Sequence, residues 1–464
     1  MKYLLPLAFL ISLFLYHPTF DYYFFQDDFF EINISKAQNL SQYLSFFKFR
    51  DDIIAYRPIS LQNYFFISGN LFALNPIGFR FITFILFFLS GLLIYKLVAR
   101  ILKNAQAAAI TSFLWLTSSI HFMSLTWIAA AYNIIGTFFW LVTSVIFIRY
   151  LETKKITLYL LSFTFYLITV GSYEFSVTWP AIWGFYYFLI MKNPLVKSAK
   201  MFSPFIIVSV IYLLARLVMI KIPQIPQYQI AASFESLKSF FWYFLWSFNI
   251  PEELKKQVVT NLIGLNPIFL AEFWKLTFIS FTSFLWTITL AVAFPILTKK
   301  HLASVKLILF SLMFFTLAIS PVLILPNHTF SMYLTLASIG IYTLLAYLLT
   351  LLKSRAAVFL VLSIWIFSSF VTISFYRINS WMIEAQKVGR TFTASIKDQF
   401  PDLPENSTVL YYLPNPWQWQ ALSYGEAIKT IYNDQTLGIY YNEEGLRNDY
   451  GKGKLKGPIY IYEE

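Results

Sequence analysis

Apolar segments as long as a membrane is thick recur along almost the whole chain, and they constrain the fold more than any other feature. Hydrophobic residues make up 58% of the sequence and charged residues only 12%, whereas in soluble domains roughly a quarter of the residues are charged. A backbone that crosses lipid must satisfy its own hydrogen bonds, which favours helices for such segments. The sequence therefore predicts an all-α polytopic membrane protein.

We predict about eleven transmembrane helices from the apolar runs, which lie near 3–20, 79–101, 106–121, 127–149, 156–172, 175–191, 202–221, 276–298, 304–325, 330–352 and 356–376. The first run follows Lys2 and has no small-residue cleavage site after it. We interpret it as an uncleaved membrane helix and not as a signal peptide.

Basic residues near the helix ends set the expected orientation. With the N-terminus in the cytoplasm, the inner loops collect fifteen Lys and Arg residues against a single acid, Glu152. The net charge of +12 is therefore explained by the basic inner loops, which predict the topology, and it gives no support for nucleic-acid binding. An odd number of spans places the C-terminus and the two long polar loops, 21–78 and 222–275, on the outer side.

The polar stretches have their own predicted structure. In the second loop, SFESLKSFFWYFLWSF is typical of an amphipathic helix at the membrane interface, and NIPEELKKQVVTNLIGL of a second short helix. Residues 59–78 are expected to lie against the bundle without spanning it. We divide the chain into a transmembrane domain, 1–376, and a small extracytoplasmic α/β domain, 377–464, whose strands are predicted in PENSTVLYYLP, TLGIYY and GPIYIYEE with a helix near 420–432.

Several kinds of chemistry are excluded by composition. The chain has no cysteine, so it has no thiol nucleophile, disulfide or thiolate metal site. Its four histidines form no helical pair of the kind that binds zinc. No Gly-rich phosphate loop is present. We therefore expect neither a metal centre nor a bound organic cofactor.

Two motifs in the first outer loop are candidates for a site. Asp27 and Asp28 follow the first helix, where a carboxylate can act as a general base beside a lipid phosphate. Tyr56 and Arg57 precede Pro58, and Arg recognises phosphate through a planar, permanently charged fork. Each motif also fits an ordinary solvated loop, and a second acid pair, at 51–52, fits ion pairs with neighbouring arginines.

Three further ionisable residues lie at the expected outer boundary of the membrane. Glu174 stands between two apolar segments, where an ionisable residue is costly and usually functional, although a turn position explains it as well. Arg216 lies inside an apolar run and fits either a lipid phosphate or snorkelling to the interface. His328 is in a short outer turn and can contact a phosphate or cap a helix.

Taken together, these motifs resemble the GT-C glycosyltransferases. The similar branch contains the protein O-mannosyltransferases, the aminoarabinose transferase of lipid A and mannosyltransferases with tetratricopeptide tails. The matching segments are QDDF at 26–29, YRP at 56–58, LNPIGFRF at 74–81, SSIHFMSLTWIAAAYNIIG at 118–136 and GSYEFSVTWP at 171–180. The chain departs from the family pattern at Arg80, Ala131 and Tyr173, and these departures leave the donor sugar open.

The resemblance implies an inverting transferase that uses a polyprenyl-phosphate sugar and acts on an extracytoplasmic glycan, lipid or protein. Asp27 or Asp28 would be the base, and Arg57, Arg216 and His328 would hold the carrier phosphate. Glu174 would orient a cation or the acceptor. The resemblance also implies a bacterial cytoplasmic membrane, and it leaves a divalent cation open because the family is not uniform in metal use.

Proteins of other classes share some of these features. An O-antigen polymerase or ligase has overlapping chemistry and topology and remains the alternative enzyme. A lipid or glycan transporter would place charges at the membrane midplane and show inverted repeats, and we find neither. A non-catalytic scaffold would have no need for acids and cations that converge on the outer side.

Overall fold

A computed structural model describes residues 3–50, 53–220, 225–231, 233–257, 266–293, 305–352, 354–413, 415–455 and 457–463. Within these residues, eight helical segments are long and apolar enough to cross a membrane, and a ninth, bent by 45°, qualifies if its two parts form one span. Each of the eleven predicted segments is helical over the part that is described. The multi-pass helical fold is confirmed, and the number of spans stays a prediction.

The long helices form the bundle, with α1 at Leu4–Tyr16, α5 at Pro76–Leu102, α8 at Tyr132–Thr153, α11 at Leu195–Met219, α13 at Pro267–Ile288, α14 at Val305–Leu323, α15 at Leu334–Thr350 and α16 at Arg355–Asn379. Shorter apolar helices complete it, with α6 at Ala105–Leu116, α7 at Phe122–Thr126, α9 at Ile156–Val170 and α10 at Trp179–Leu189. Aromatic rings fill much of the interior; Trp140, Trp179 and Trp183 are fully buried. The interior of the bundle is thus rich in aromatic rings, and many buried Ser and Thr side chains lie among them.

The predicted loop regions contain helices too short to cross a membrane. They are α2 at Asp27–Ile34, α3 at Leu40–Ser45, α4 at Tyr64–Phe72 and α12 at Phe234–Trp246. As predicted, α12 is amphipathic, but Trp242, Tyr243 and Trp246 are buried in protein. The expected second short helix is a 3₁₀ turn at Glu252–Gln257, followed by residues outside the described ranges.

Asparagine–proline pairs begin two of the long helices. Asn75 and Asn266 each accept a hydrogen bond from a backbone N–H of the first turn, and Pro76 and Pro267 occupy the next position. Proline is favoured there because its fixed φ suits a helix and its missing N–H has no helical partner. The predicted start of α13 at residue 276 is therefore wrong by nine residues, because charged residues in its first turns hid the helix from a hydropathy pattern.

The C-terminal part is a small α/β unit, as predicted. It consists of α17 at Trp381–Gln399, β1 at Thr408–Tyr412, α18 at Pro416–Ala421, α19 at Glu426–Tyr432, β2 at Gly438–Tyr440, α20 at Glu443–Gly451 and β3 at Ile459–Glu463. The strands form a parallel sheet in the order β2-β1-β3. Thr408 is aligned with Gly438 on one side and with Ile459 on the other.

This α/β unit packs directly on the loop that follows α1. The N–H of Gln26 donates to Ala421 O at 2.7 Å, and Asn33 donates to both the backbone and the side chain of Glu426. A Cβ atom at Gly389 would lie 2.3 Å from Phe24 O, so glycine is required for helix α17 to approach this closely. The start of α2 is therefore fixed between the bundle and the C-terminal unit.

The orientation of the bundle is a prediction that reporter fusions test. Fusions after Lys155 and Lys200 are expected to report cytoplasm, because both lie in loops rich in basic residues. Fusions after Phe46, Gln257 and strand β3 are expected to report the outer side. A cytoplasmic C-terminal fusion would contradict both the odd number of spans and a site confined to one face of the membrane.

Candidate functional site

The two adjacent acids at the start of α2 lie in different surroundings. The residue before them, Gln26, has φ 50° and ψ −128°, a conformation that costs energy for a residue with a side chain. Its backbone is held by the bond to Ala421. The helix then begins at Asp27, and the two carboxylates point in different directions.

Asp27 is exposed to solvent. The protein around it nevertheless removes much of its hydration, which raises its pKa to about 6, and Arg57 opposes this rise. Such a group is ionised at neutral pH and can accept a proton from a hydroxyl held beside it.

Asp28 is fully buried and has a structural role. Its Oδ2 accepts a hydrogen bond from Phe25 N at 3.1 Å, and its Oδ1 accepts one from Ala129 N at 2.7 Å. Burial raises its pKa to about 7, although both hydrogen bonds favour the ionised form. The carboxylate thereby joins the first outer loop to the 3₁₀ turn Ile128–Ala131. No reacting hydroxyl has access to it, so of the two candidates for the base we keep Asp27.

Arg57 and Glu174 form the strongest ion pair of the site. Arg57 Nε donates to Glu174 Oε2 at 2.7 Å, and the second bond joins Nη2 to Oε1 at 2.5 Å. The guanidinium carbon lies 3.4 Å from the centre of the Tyr132 ring, a cation–π contact. Burial opposes ionisation of Glu174, but Arg57 overcomes it and lowers the pKa of Glu174 to about 2. Two residues 117 positions apart are thus brought into one pair.

Arg216, on the lipid-facing helix α11, is a second cation near the Glu174 carboxylate. Its Nη1 lies 3.9 Å from Glu174 Oε1, too far for a hydrogen bond. The same nitrogen is buried and has no hydrogen-bond partner among the described residues. Since a guanidinium nitrogen seldom stays unpaired when buried, this position is suited to an anion supplied from outside the chain.

His328 lies beside the pair, among aromatic rings. Its ring centre is 4.8 Å from that of Tyr228 and 6.0 Å from that of Tyr333. Burial and the nearby Arg57 lower its pKa to about 4. The imidazole is therefore neutral at pH 7 and can donate a hydrogen bond to a phosphate oxygen, but it adds no positive charge.

Tyr56 has a supporting position at the edge of the site. Its ring stacks on Phe49 at 4.1 Å, its hydroxyl donates to Phe47 O at 3.0 Å, and its ring centre is 6.3 Å from that of Tyr212. These contacts fix the segment that leads into Arg57. The acid pair predicted to form ion pairs, Asp51 and Asp52, lies outside the described residues.

Glu31, one helical turn after Asp27, was not predicted as a site residue. Glu31 is 7% exposed, and Gln62 Nε2 is 3.4 Å from its Oε2. Burial and the charge of Asp27 raise the pKa of Glu31 to about 8, so its carboxyl is mostly protonated at neutral pH. The spacing of four residues on one helix places both carboxyls on the same face, and this spacing was readable in the sequence.

Arg80, a departure from the family pattern, has a structural explanation. Its side chain is 1% exposed, donates through Nη2 to Thr126 O at 2.9 Å and also donates to Tyr22 O. Arg80 thereby joins helix α5 to the backbone of the first outer loop at Tyr22 and to the end of α7 at Thr126. Its guanidinium group is thus held by backbone oxygens, whereas Arg57 acts electrostatically on Asp27, and both Arg57 and Arg216 act on Glu174.

Metal ligands are few in this region. Among the described residues no group of three or more His, Cys, Asp or Glu side chains is placed to hold a metal ion. Asp27 and Glu31 are two carboxyls on one helix face, and Glu31 is mostly protonated. The divalent cation that the family resemblance leaves open is neither supported nor contradicted by these residues.

Comparisons with known proteins identify the fold. No protein-family model matches the chain, and no curated protein sequence is significantly similar to it. The structure is similar to the oligosaccharyltransferase of Archaeoglobus fulgidus tethered to an acceptor peptide with the NVT sequon, with a TM-score of 0.50 and 13% identity over 94% of this chain and 64% of that one. The same enzyme in complex with an inhibitory peptide and a dolichol-phosphate gives a TM-score of 0.47, 13% identity, and 94% and 64% coverage.

This likeness extends over almost the whole of the present chain, which spans less than two thirds of the oligosaccharyltransferase. At 13% identity the likeness shows the fold and not the activity. The chain thus shares the fold of this oligosaccharyltransferase, whereas membership of the GT-C superfamily, which the motifs led us to expect, and the branch within it stay predictions.

Proposed function

We propose that this protein is an inverting glycosyltransferase that moves a sugar from a polyprenyl-phosphate donor to an acceptor on the outer side of the membrane. The observation that carries the proposal is the position of Asp27, an accessible carboxyl whose pKa is about 6 and on which Arg57 acts electrostatically. A base and a paired guanidinium group at the outer end of a lipid-embedded bundle are what such a transfer requires.

The reaction forms one bond and breaks another. The acceptor hydroxyl gives its proton to the Asp27 carboxylate while its oxygen attacks the anomeric carbon of the donor sugar. The bond from that carbon to the phosphate oxygen breaks, and the electron pair leaves with the lipid phosphate. A single displacement inverts the configuration at the anomeric carbon.

Arg216 is the residue best placed to receive the lipid phosphate. The helix that carries it exposes a nearly continuous apolar surface to lipid, with Leu214 57%, Leu217 69% and Val218 84% exposed. A lipid carrier approaches from that side, and a guanidinium nitrogen that makes no hydrogen bond among the described residues is suited to the phosphate at the end of that path. Arg57 is matched by Glu174, so its role is to hold the geometry and to share the charge that develops on the leaving group.

The proposal includes three classes of acceptor, namely protein, glycan and lipid. The similar oligosaccharyltransferase was crystallised with an acceptor peptide, so a protein acceptor belongs to the proposal beside a glycan or a lipid. The common requirement is a nucleophile that reaches Asp27 from the aqueous side.

The direct test is transfer of radiolabelled sugar by the purified protein in nanodiscs. Polyprenyl-phosphate and polyprenyl-pyrophosphate sugars are offered separately, with a membrane extract as the source of acceptor. Transfer from the monophosphate donor is the expected result. Transfer from the pyrophosphate donor alone would contradict the donor class, and transfer from neither would contradict the enzyme class.

Replacing Arg216 with Gln is expected to raise the KM for the lipid donor at least tenfold, because a hydrogen-bonded charge pair with phosphate contributes about 1.5–3 kcal/mol. The variant also loses the 3.9 Å ion pair with Glu174, so its melting temperature is measured alongside to establish that the fold is kept. Lys200→Gln, near the other end of the same helix, is the matched control. An unchanged donor KM and kcat in Arg216→Gln would show that Arg216 only snorkels to the interface.

A further inference from the structure

The C-terminal α/β unit carries a cluster of three aromatic rings, two of them exposed and one half-buried. Tyr424 is 58% exposed and Tyr441 is 38% exposed. The Tyr441 ring centre lies 6.1 Å from that of Tyr424 and 5.1 Å from that of Trp419, with interplanar angles of 56° and 40°. We call Trp419, Tyr424 and Tyr441 the aromatic platform. Two exposed Tyr rings beside a half-buried Trp require an explanation, because burial would be more favourable.

The backbone of the platform is held in an unfavourable conformation. Ser423, Tyr424 and Gly425 have φ values of 52°, 51° and 101°, three successive residues in the left-handed region. Glycine adopts it easily, but a residue as bulky as Tyr does not. At Gly425 a Cβ atom would lie 2.3 Å from Ile439 Cγ2, so the turn is also tightly packed. Strain of this kind persists mainly where the exposed side chain serves a function.

The same turn is attached to the catalytic loop of the proposed transferase. Ala421 O accepts the N–H of Gln26, the residue before Asp27, at 2.7 Å. Tyr424 follows Ala421 by three residues, which span at most about 10 Å of chain. On the other side of the turn, Glu426 is bonded to Asn33 of helix α2. Tyr424 therefore lies only three residues from the contact that joins this turn to the loop of the proposed base.

We propose that the aromatic platform binds sugar rings of a glycan acceptor. The apolar face of a sugar ring packs on an aromatic ring, and rings set at angles to one another suit the successive residues of an oligosaccharide. Asn442, Glu443 and Glu444 follow Tyr441 directly and are exposed. This polar and acidic border suits hydroxyl groups and disfavours an anionic lipid surface. The inference rests on the proposed function and narrows its acceptor to a carbohydrate.

The test is binding of oligosaccharides to the full-length protein in nanodiscs, without any donor. The probes are mannotetraose, cellotetraose, maltotetraose and chitotetraose, followed by saturation-transfer NMR. At least one probe is expected to bind the wild-type protein. Tyr424→Gly and Tyr441→Ala are expected to weaken that binding about tenfold, which corresponds to the stacking energy of one aromatic ring. Tyr441→Phe should bind as the wild type does, because it keeps the ring.

Tyr424→Gly also separates loss of binding from loss of fold. Glycine accepts the left-handed conformation at this position, so the variant should melt no lower than the wild type. Tyr450→Ala is the matched control, since Tyr450 is 68% exposed on helix α20 and belongs to no platform contact. Wild-type affinity in both Tyr424→Gly and Tyr441→Ala would overturn the proposal, as would failure of all four probes to bind.

These outcomes are independent of the proposed chemistry. Asp27→Asn should bind oligosaccharide normally, because binding requires no base. A protein that transfers sugar but binds none of the probes would overturn the platform alone. A protein that binds a probe through the platform but transfers from no lipid donor would overturn the proposed transferase. Displacement of the bound probe by phosphatidylglycerol vesicles would assign the platform to the membrane surface and contradict a glycan ligand.

Discussion

Asp27→Asn is expected to slow sugar transfer by about 10²–10⁴-fold, the usual contribution of a positioned general base. The amide keeps the shape of the side chain but cannot take the acceptor proton. Because Asp27 is accessible and makes no structural hydrogen bond among the described residues, the variant should insert, fold and bind the lipid donor. The measurement is single-turnover transfer in nanodiscs, with donor binding followed separately.

Asp28→Asn is the matched control, because the two acids are adjacent and the substitution is the same. Its carboxylate accepts one backbone N–H on each oxygen, and an amide has only one acceptor oxygen. The NH₂ group would face a backbone donor, which costs about 1–3 kcal/mol. We therefore expect Asp28→Asn to lower thermal stability and Asp27→Asn to lower the rate. Full transfer activity in both variants and in the double variant would remove this loop from the chemistry.

The pH dependence of transfer gives a second measurement on the same base. Protein around Asp27 raises its pKa to about 6, and the base must be ionised to accept a proton. The value of kcat/KM should therefore fall as the pH drops through about 6 and level off above it. The profile of Asp27→Asn should lose this step. A wild-type profile that stays flat across that range would contradict Asp27 as the base.

Hydropathy was enough to predict the fold class, because a lipid environment leaves the backbone few choices. The small parallel sheet was also predictable, since its strands are short β-branched and aromatic runs bounded by turn residues. The start of α13 was missed because the Asn-Pro cap sets where the helix begins, whereas a hydropathy pattern places the start after the charged residues of the first turns. Sequence patterns thus predicted that these helices and strands exist, but hydropathy alone placed the start of α13 wrongly.

The site was predicted residue by residue but not as an arrangement. Glu174 and Arg216 were suspected for their cost in a membrane setting, and Arg57 for the phosphate-binding chemistry of its side chain. The ion pairs that join them are tertiary contacts that no spacing encodes. The difference between Asp27 and Asp28 depends on where Ala129 N lies, more than a hundred residues away. Glu31 was overlooked although its spacing from Asp27 was visible, because no helix was predicted for that loop.

The second large effect is expected at the ion pair of Arg57 and Glu174. Their side chains are only 12% and 15% exposed, so solvent screens the pair weakly. Arg57→Gln leaves the Glu174 carboxylate buried without its main partner, which costs about 3–5 kcal/mol of stability. Arg100→Gln is the control, since it breaks an ion pair with Glu152 that is 35% and 46% exposed and contributes at most about 1 kcal/mol.

The double variant Arg57→Gln/Glu174→Gln separates stability from catalysis. Two neutral amides leave no buried charge, so much of the stability lost in Arg57→Gln should return, while transfer should stay low because the guanidinium group is absent. Acid titration adds a check. Arg57 holds the pKa of Glu174 at about 2, below its usual 4.5, so the pair stabilises the wild type above pH 4.5 and this contribution is lost as the pH falls towards 2. Arg57→Gln should lose that acid dependence. Recovery of transfer together with stability in the double variant would mean that the pair holds the fold and takes no part in the reaction.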